Sequence, residues 1–211
     1  MKITGGTLRG RRLKVPSKGV RPTSDMAREA IFSMIAPWVG NAQVIDVFAG
    51  SGSLGLEAWS RGAAAVTFVE QHRNGMKMLK DNVRELAGDH EELQCICSDG
   101  LKFLSQNRWG LTADLIFADP PYDQHICWLE NTLRAVQEGS ILEPNGRLIF
   151  ELGKKDPDEI PEGWTCLRDK SYGGTRVLVM ALVAETETET EAETDADAEA
   201  EADAMNGSEE E

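Results

Sequence analysis

The sequence contains no run of about 18 apolar residues, the length that a membrane-spanning helix needs. It also lacks an apolar segment before Pro16 that could form the core of a secretory signal. Only four cysteines and three histidines are present, and their spacing matches no common zinc motif. We therefore expect a cytoplasmic protein that has reduced thiols, needs no metal and makes no contact with a membrane.

Each end of the chain is nearly devoid of one sign of charge. Residues 184–211 carry thirteen acidic side chains and no basic one, whereas the first 28 residues carry eight basic side chains and a single acidic one, Asp25. Residues 1–183 together hold 22 basic and 23 acidic side chains, so the tail accounts for nearly all of the net charge of −14. The low-complexity composition of the tail predicts disorder. The basic head predicts contact with a polyanion at that end of the protein.

Short apolar runs alternate with segments of helical periodicity between residues 43 and 183. The predicted strands are Gln43–Phe48, Ala65–Glu70, Leu93–Cys97, Ala113–Ala118 and Arg147–Leu152, and the predicted helices are Ser53–Arg61, Asn74–Leu86, Asp99–Gln106 and Ile126–Gln137. Near-continuous apolar strands indicate burial on both faces, hence a parallel sheet with helices on both sides. Two further strands, Trp164–Lys170 and Thr175–Val183, flank Gly173-Gly174 and predict a hairpin. The sequence therefore predicts an α/β fold whose parallel sheet ends in an antiparallel pair.

The chain divides into three predicted parts. Residues 1–40 form a basic β arm with glycine turns and a helix, Ser24–Ala36, that packs on the core. Residues 41–183 form the α/β domain, and residues 184–211 form the acidic tail.

A glycine-rich loop follows the first core strand. Gly50, Gly52 and Gly55 fit the pattern G-x-G-x-x-G at a strand-to-helix turn, where a cofactor can approach bare backbone. A phosphate-binding P-loop would continue with Lys and Ser or Thr, but Leu56 and Glu57 stand there instead, so the sequence disfavours a nucleotide triphosphatase.

Three acidic residues near this loop indicate the kind of cofactor. Glu70 ends the second strand, twenty residues after Gly50, where its carboxylate can accept hydrogen bonds from both ribose hydroxyls of an adenosine. That placement suits NAD and S-adenosylmethionine equally. Asp46 would repel a pyrophosphate but suits a cationic sulfonium, so it favours S-adenosylmethionine. Asp99, at the end of the third strand, can hydrogen-bond to an adenine amino group.

The motif Asp119-Pro120-Pro121-Tyr122 follows the fourth strand. Consecutive prolines fix φ and donate no hydrogen bond, so the Pro120 carbonyl is held rigid and can accept one. The Asp119 carboxylate is a second acceptor and Tyr122 offers a ring for stacking. Two acceptors beside a ring fit the exocyclic amino group of a base, which must leave its stack to reach them. Because Asp119 can stabilise positive charge on that nitrogen and take its proton, the motif predicts amino methylation.

Together, these segments resemble the RsmD family, bacterial enzymes that methylate N2 of one guanine in 16S ribosomal RNA with S-adenosylmethionine. The resemblance covers residues 1–183 and rests on Ile3-Thr4-Gly5-Gly6 with Arg9-Gly10-Arg11, Arg21-Pro22-Thr23-Ser24-Asp25 with Arg28-Glu29-Ala30-Ile31-Phe32, Asp46-Val47-Phe48-Ala49-Gly50-Ser51-Gly52, Arg61-Gly62-Ala63, Asp119-Pro120-Pro121-Tyr122 and Tyr172-Gly173-Gly174-Thr175. It implies a seven-stranded, Rossmann-like class I methyltransferase fold. The residues it implies for cofactor binding are Asp46, Phe48, Gly50, Gly52, Glu70, Asp99 and Asp119. Catalysis is assigned to Asp119, Pro120 and Tyr122, and base contact to Pro121 and Tyr122.

The basic head supplies the expected RNA contacts. Arg9, Arg11 and Arg12 lie in a glycine-punctuated arm suited to following a phosphate backbone, which gives affinity without sequence reading. Arg21 and Arg28 are also expected at the substrate side. The expected partner is ribosomal RNA, either free or in a partly assembled small subunit, and we expect the protein to act as a monomer.

Two other functions remain open from the sequence. An adenine-N6 methyltransferase acting on DNA or RNA would use the same two acceptors. A non-catalytic RNA-binding assembly factor would keep the cofactor pocket without using it, although the intact Asp119 motif argues against this. A nicotinamide dehydrogenase is disfavoured by Asp46 and by the terminal hairpin.

Overall fold

A seven-stranded sheet forms the centre of the computed structural model, which describes residues 1–15, 25–121, 127–153 and 160–183. The elements are α1 (Asp25–Met34), α2 (Ala36–Val39), β1 (Gln43–Asp46), α3 (Ser53–Ser60), β2 (Ala65–Glu70), α4 (Arg73–Leu86), β3 (Leu93–Cys97), α5 (Gly100–Gln106), β4 (Ala113–Ala118), α6 (Trp128–Gly139), β5 (Leu142–Gly153), β6 (Trp164–Tyr172) and β7 (Thr175–Leu182). The strand order is β3-β2-β1-β4-β5-β7-β6. Strands β1 to β5 pair in parallel, whereas β7 pairs antiparallel with both β5 and β6. The predicted mostly parallel sheet with a terminal antiparallel hairpin is confirmed.

Two apolar layers cover the two faces of this sheet. One layer includes Phe32 of α1, Leu56 of α3 and Leu79 of α4, and the other includes Phe103 of α5 and Leu133 of α6. Because both faces are covered, the central strands are apolar along their length, which is the pattern that made them visible in the sequence. Within the described residues, no helix combines the length and apolarity that crossing a bilayer requires.

The largest difference from the predicted elements is the start of β5. It begins at Leu142, five residues before the predicted start at Arg147. Leu142 pairs with Ala113, and the register then shifts before Arg147 pairs with Leu115. The intervening Glu-Pro-Asn-Gly has the composition of a turn, so the sequence did not indicate that the strand continues through this irregularity.

Residues 1–15 form a small hairpin-like arm that packs on α3 and α4. The Ile3 amide donates to the Arg11 carbonyl at 2.9 Å, and Lys2 and Arg12 form an antiparallel bridge. Ile3 is fully buried and Leu13 nearly so, which anchors the arm to the apolar layer of α1 and α3. The predicted start of the α1 helix at Ser24, together with Arg21, Tyr122 and the acidic tail, lies outside the described residues.

Candidate active site

The acidic residues singled out in the sequence lie at the edge of the sheet that is formed by the carboxyl ends of its parallel strands. β1 lies between β2 and β4, and the chain leaves it on one side for β2 and returns on the other as β4. The Ala49 amide donates to the Val69 carbonyl and the Val47 amide to the Phe117 carbonyl, both at 2.9 Å, so the loop after β1 lies over the ends of β2 and β4. A crevice at such a reversal of strand order is where open α/β sheets bind ligands.

The glycine loop adopts a conformation that side chains would obstruct. Gly50 and Gly52 have φ angles of 52° and 80°, in the left-handed region. A Cβ at Gly52 would lie 2.5 Å from Leu79 Cδ1, and one at Gly55 would lie 2.3 Å from Phe68 Cε1. These two glycines therefore let α3 begin directly against β2 and α4, which keeps the loop close to the strand ends.

Two carboxylates hold this loop by its backbone. Asp46 Oδ2 accepts from the Gly55 amide at 2.9 Å, and Glu70 Oε2 accepts from the Gly50 amide at 3.0 Å. The other Glu70 oxygen accepts from the His72 amide at 2.7 Å, at the start of α4. Asp46 and Glu70 are thus brought together around the glycines, as their spacing in the sequence suggests.

The electrostatics of this edge favour a cation. Burial, together with the nearby charges of Asp119 and Glu70, raises the pKa of Asp46 to about 7 in spite of the lowering by the Gly55 hydrogen bond. Across the described ranges, no Lys or Arg side chain forms an ion pair with Asp46 or Glu70. A positively charged ligand would supply the missing counter-charge and stabilise the ionised form of Asp46.

Asp99 and Phe48 lie side by side at a neighbouring part of the edge. Asp99 is the N-cap of α5, where its Oδ1 accepts from the Lys102 amide at 2.9 Å. The next residue, Gly100, leaves room for the Phe48 ring, since a Cβ there would approach Phe48 Cε1 to 2.6 Å. Phe48 in turn packs edge-on against Trp128, with ring centroids 5.4 Å apart. Trp128 was not predicted as a neighbour of Phe48, because an aromatic residue at a helix start carries no signal of what it faces.

The turn after β4 is also at this edge. Asp119 is half-buried, Pro120 is buried and Pro121 is exposed, while Tyr122 is outside the described residues. Phe117 of β4 pairs with Asp46 of β1, so Asp119 lies only two residues beyond that pair, and its charge contributes to raising the pKa of Asp46. The sequence-predicted cofactor residues and the first three residues of the proposed catalytic turn are therefore assembled at one place.

The basic residues of the arm have divided roles. Arg9 and Arg12 are exposed, as phosphate contacts would need to be. Arg11 instead donates to the carbonyls of Leu86 at 3.0 Å and Glu85 at 2.6 Å, which caps the C-terminus of α4. Its guanidinium thus holds the arm on the core, and because Arg11 is exposed as well, its contact with phosphate stays a prediction.

Arg28 differs more strongly from its expected place on the substrate side. Its side chain is fully buried and pairs with Glu57 at 3.3 Å and with Asp25 at 2.7 Å, and it also donates to the Lys2 carbonyl. Glu57, itself fully buried, accepts from the Thr4 amide and hydroxyl as well. A buried guanidinium needs such an anion, so the described contacts of Arg28 fasten the arm to α1 and α3 and give it no surface to offer RNA.

Comparisons with known proteins show the family to which the chain belongs. The family model described as Conserved hypothetical protein 95 matches residues 1–181. Ribosomal RNA small subunit methyltransferase D of Haemophilus influenzae is 37% identical over 174 residues, covering 82% of this chain and 89% of that protein. Its namesake from Escherichia coli K12 is 35% identical over 175 residues, covering 82% and 85%. The solved structure of Escherichia coli yhhF superposes with a TM-score of 0.76 at 31% identity, covering 88% of this chain and 99% of that one. The chain therefore belongs to the RsmD family of S-adenosylmethionine-dependent methyltransferases.

Proposed function

We propose that the protein methylates the exocyclic N2 amino group of one guanine in small-subunit (16S) ribosomal RNA. The observation that carries the proposal is the meeting of Asp46, Glu70 and the Asp119-Pro120 turn at one edge of the sheet. The names of the curated relatives support ribosomal RNA as the substrate. The choice of guanine N2 rests on the family resemblance of the motifs.

The residues at this edge fit S-adenosylmethionine. That cofactor, when bound, supplies a methyl group on a positively charged sulfur. Asp46 is a buried carboxyl group without a cationic partner among the described residues, so it gains a counter-charge when a cation binds. Glu70 already accepts one amide hydrogen bond on each oxygen, and each oxygen retains a second lone pair for a ribose hydroxyl. Phe48 and Asp99 offer an apolar face and an acceptor for the adenine.

The turn after β4 then orients and activates the base. The lone pair of an aromatic amino group is delocalised into the ring, which makes the nitrogen a poor nucleophile. Hydrogen bonds from this group to Asp119 and to the Pro120 carbonyl would direct its lone pair out of the ring. The Asp119 carboxylate stabilises the positive charge that develops on nitrogen and can accept the proton it loses. Tyr122, which lies outside the described residues, is proposed to stack on the base.

RNA would approach from the side of the arm. Arg9, Arg11 and Arg12 remain proposed phosphate contacts because all three are exposed, although Arg11 also binds the end of α4. The buried Arg28 acts on the substrate only through the position of the arm. We keep the partly assembled small subunit as a proposed form of the substrate, with one protein molecule acting alone.

Replacement of the carboxylate that contacts the base tests this function. Asp119→Ala should lower the rate of methyl transfer to small-subunit ribosomal RNA, measured at saturating cofactor, by about 100-fold or more. Glu138→Gln is the matched control, because Glu138 is an exposed acid on α6. Labelled methyl transfer followed by nucleoside analysis should give N2-methylguanosine.

Each alternative has its own outcome. Methyladenosine as the sole product would replace guanine by adenine. Full methylation by Asp119→Ala would show that the catalytic assignment is wrong. A wild-type protein that binds the cofactor and ribosomal RNA but transfers no methyl group would favour the assembly-factor function.

A further inference from the structure

A stripe of four basic side chains runs along one face of α4. Arg73, Lys77, Lys80 and Arg84 are spaced by four, three and four residues, so they project from the same side of the helix. All four are exposed. Another face of α4 is buried through Met76, Leu79, Val83 and Leu86. Packing of the helix therefore fixes the direction of the stripe, which we call the α4 basic stripe.

The stripe borders a groove of about 700 Å³ beside the edge strand β3. Its apolar floor includes Val83 and Leu93, and two acidic residues, Asp81 and Asp89, also line it together with His90. Asp81 is 3.6 Å from Arg84 in an exposed pair, a contact of small energetic weight. Within the described ranges, the other three basic side chains of the stripe form no ion pair. The groove therefore has an excess of positive charge on its rim.

Both ends of the stripe are tied to parts of the proposed RNA path. At one end, Arg73 follows His72, whose amide donates to the Glu70 carboxylate at the cofactor edge. At the other end, α4 finishes at Leu86, whose carbonyl accepts from Arg11 of the arm. The helical rise of about 1.5 Å per residue places the first and last basic residues about 16 Å apart along the axis. The α4 basic stripe thus runs from the neighbourhood of Glu70, at the carboxyl ends of the strands, to the basic arm.

We propose that the α4 basic stripe is a second RNA-binding surface, which holds the phosphate backbone of the strand that flanks the target nucleotide. This inference rests on the proposed function, because it takes RNA as the substrate. Regularly spaced ammonium and guanidinium groups on an exposed helix give charge-based affinity without reading bases. The groove lining includes four basic side chains and no Phe, Tyr or Trp, a composition suited to the phosphate backbone. Because Arg28 is buried and Arg11 is bound to the carbonyls at the end of α4, this stripe adds four exposed basic side chains to those of the arm.

The test removes two charges from the middle of the stripe. The variant Lys77→Gln/Lys80→Gln is compared with Arg168→Gln/Lys170→Gln. This control also removes two positive charges, but on β6, the outer strand at the opposite side of the sheet from β3. All four positions are on the surface, so both variants should fold, which thermal unfolding verifies. The probe is labelled, transcribed small-subunit ribosomal RNA, and its affinity is measured from 0.05 M to 0.5 M salt.

In the stripe variant, the slope of log affinity against log salt should become less negative by about 1.4, at about 0.7 per lost contact with a single strand. For equal binding at 1 M salt, that slope corresponds to about 25-fold weaker binding at 0.1 M. Affinity for S-adenosylmethionine should not change. An unchanged slope, or an equal loss in the β6 control, would overturn the proposal.

Failure of this inference can be told from failure of the proposed function. Binding is measured without methyl transfer, so a wild-type protein that methylates the RNA while the stripe variant keeps its slope refutes the stripe alone. A wild-type protein that neither binds nor methylates the RNA, whether free or in a partly assembled small subunit, would refute both.

Discussion

The buried Asp46 carboxyl group should make the free protein less stable as the pH rises. Its pKa is raised from 3.8 to about 7 by burial and by the neighbouring acids, so the folded state binds a proton that the unfolded state has lost. The stabilisation that protonation provides is complete below pH 4 and is lost as the pH rises through 7. At 1.36 kcal/mol per pKa unit, the full loss is about 4 kcal/mol, of which about 2–3 kcal/mol falls between pH 5 and pH 8.

Asp46→Asn isolates this effect because it removes the titrating group and retains an oxygen that can accept from the Gly55 amide. The free energy of unfolding of wild type minus that of the variant should fall by about 2–3 kcal/mol between pH 5 and pH 8. A constant cost of fitting the new amide cancels in this comparison. Urea unfolding of the cofactor-free proteins at the two pH values gives the four free energies.

Cofactor binding should depend on pH in the opposite sense. A sulfonium favours the ionised form of Asp46, so affinity for S-adenosylmethionine should increase by about 50-fold from pH 5 to pH 7, with release of a proton. The variant should bind weakly at both pH values. Titration calorimetry in two buffers with different ionisation enthalpies measures the proton release.

The reasoning fails if the stability difference between wild type and Asp46→Asn is the same at pH 5 and pH 8. It also fails if wild-type affinity for the cofactor is constant over pH 5 to 7. Either result would mean that Asp46 is ionised in the free protein throughout this range.

Two further variants test how the site is held. Gly55→Ala places a Cβ 2.3 Å from an aromatic carbon of β2, and should destabilise the fold by about 1–3 kcal/mol in urea unfolding; Gly40→Ala, which meets nothing within 4 Å, should be neutral or slightly stabilising, and equal effects would contradict the argument. Glu57→Gln leaves the buried charge of Arg28 with one anion fewer, and should lower the free energy of unfolding by about 3 kcal/mol or more. A loss below about 1 kcal/mol would mean that Asp25 alone compensates that charge, since its pairing with Arg28 is retained.

The sheet and the position of the glycine loop could be predicted because their signals are local. An apolar strand buried on both faces, a glycine turn and an acid at a strand end can each be recognised within a few residues of sequence. β5 was placed correctly only from Arg147 onward, since the irregular part of the strand has a turn-like composition. The boundary at residue 40 between the arm unit and the main domain stays a prediction.

The roles of the charged residues could not be predicted in the same way, because their partners are distant in the sequence. Arg11 reaches carbonyls 74 and 75 residues away, and Arg28 pairs with a carboxylate 29 residues away. Composition records that a residue is basic, but only the packing decides whether its charge is neutralised in the interior or offered to solvent. Glu57 illustrates the same point, because in the sequence it served only as evidence against a P-loop.

Asn82 connects the arm to the glycine loop by hydrogen bonds to both. This buried side chain accepts from the Lys14 amide and donates to the Lys14 carbonyl, each at 2.9 Å, and its amide also donates to the Ser51 carbonyl at 2.9 Å. Ser51 lies between the two glycines with positive φ, so the end of the arm and the centre of the loop share a single anchoring group. Glu57 adds a second link, because it binds the arm from the helix that begins at that loop. The segment that is proposed to meet RNA therefore also fixes the backbone that is proposed to hold the cofactor. The two buried polar side chains, Asn82 and Glu57, thus connect the proposed RNA contact to the proposed cofactor site.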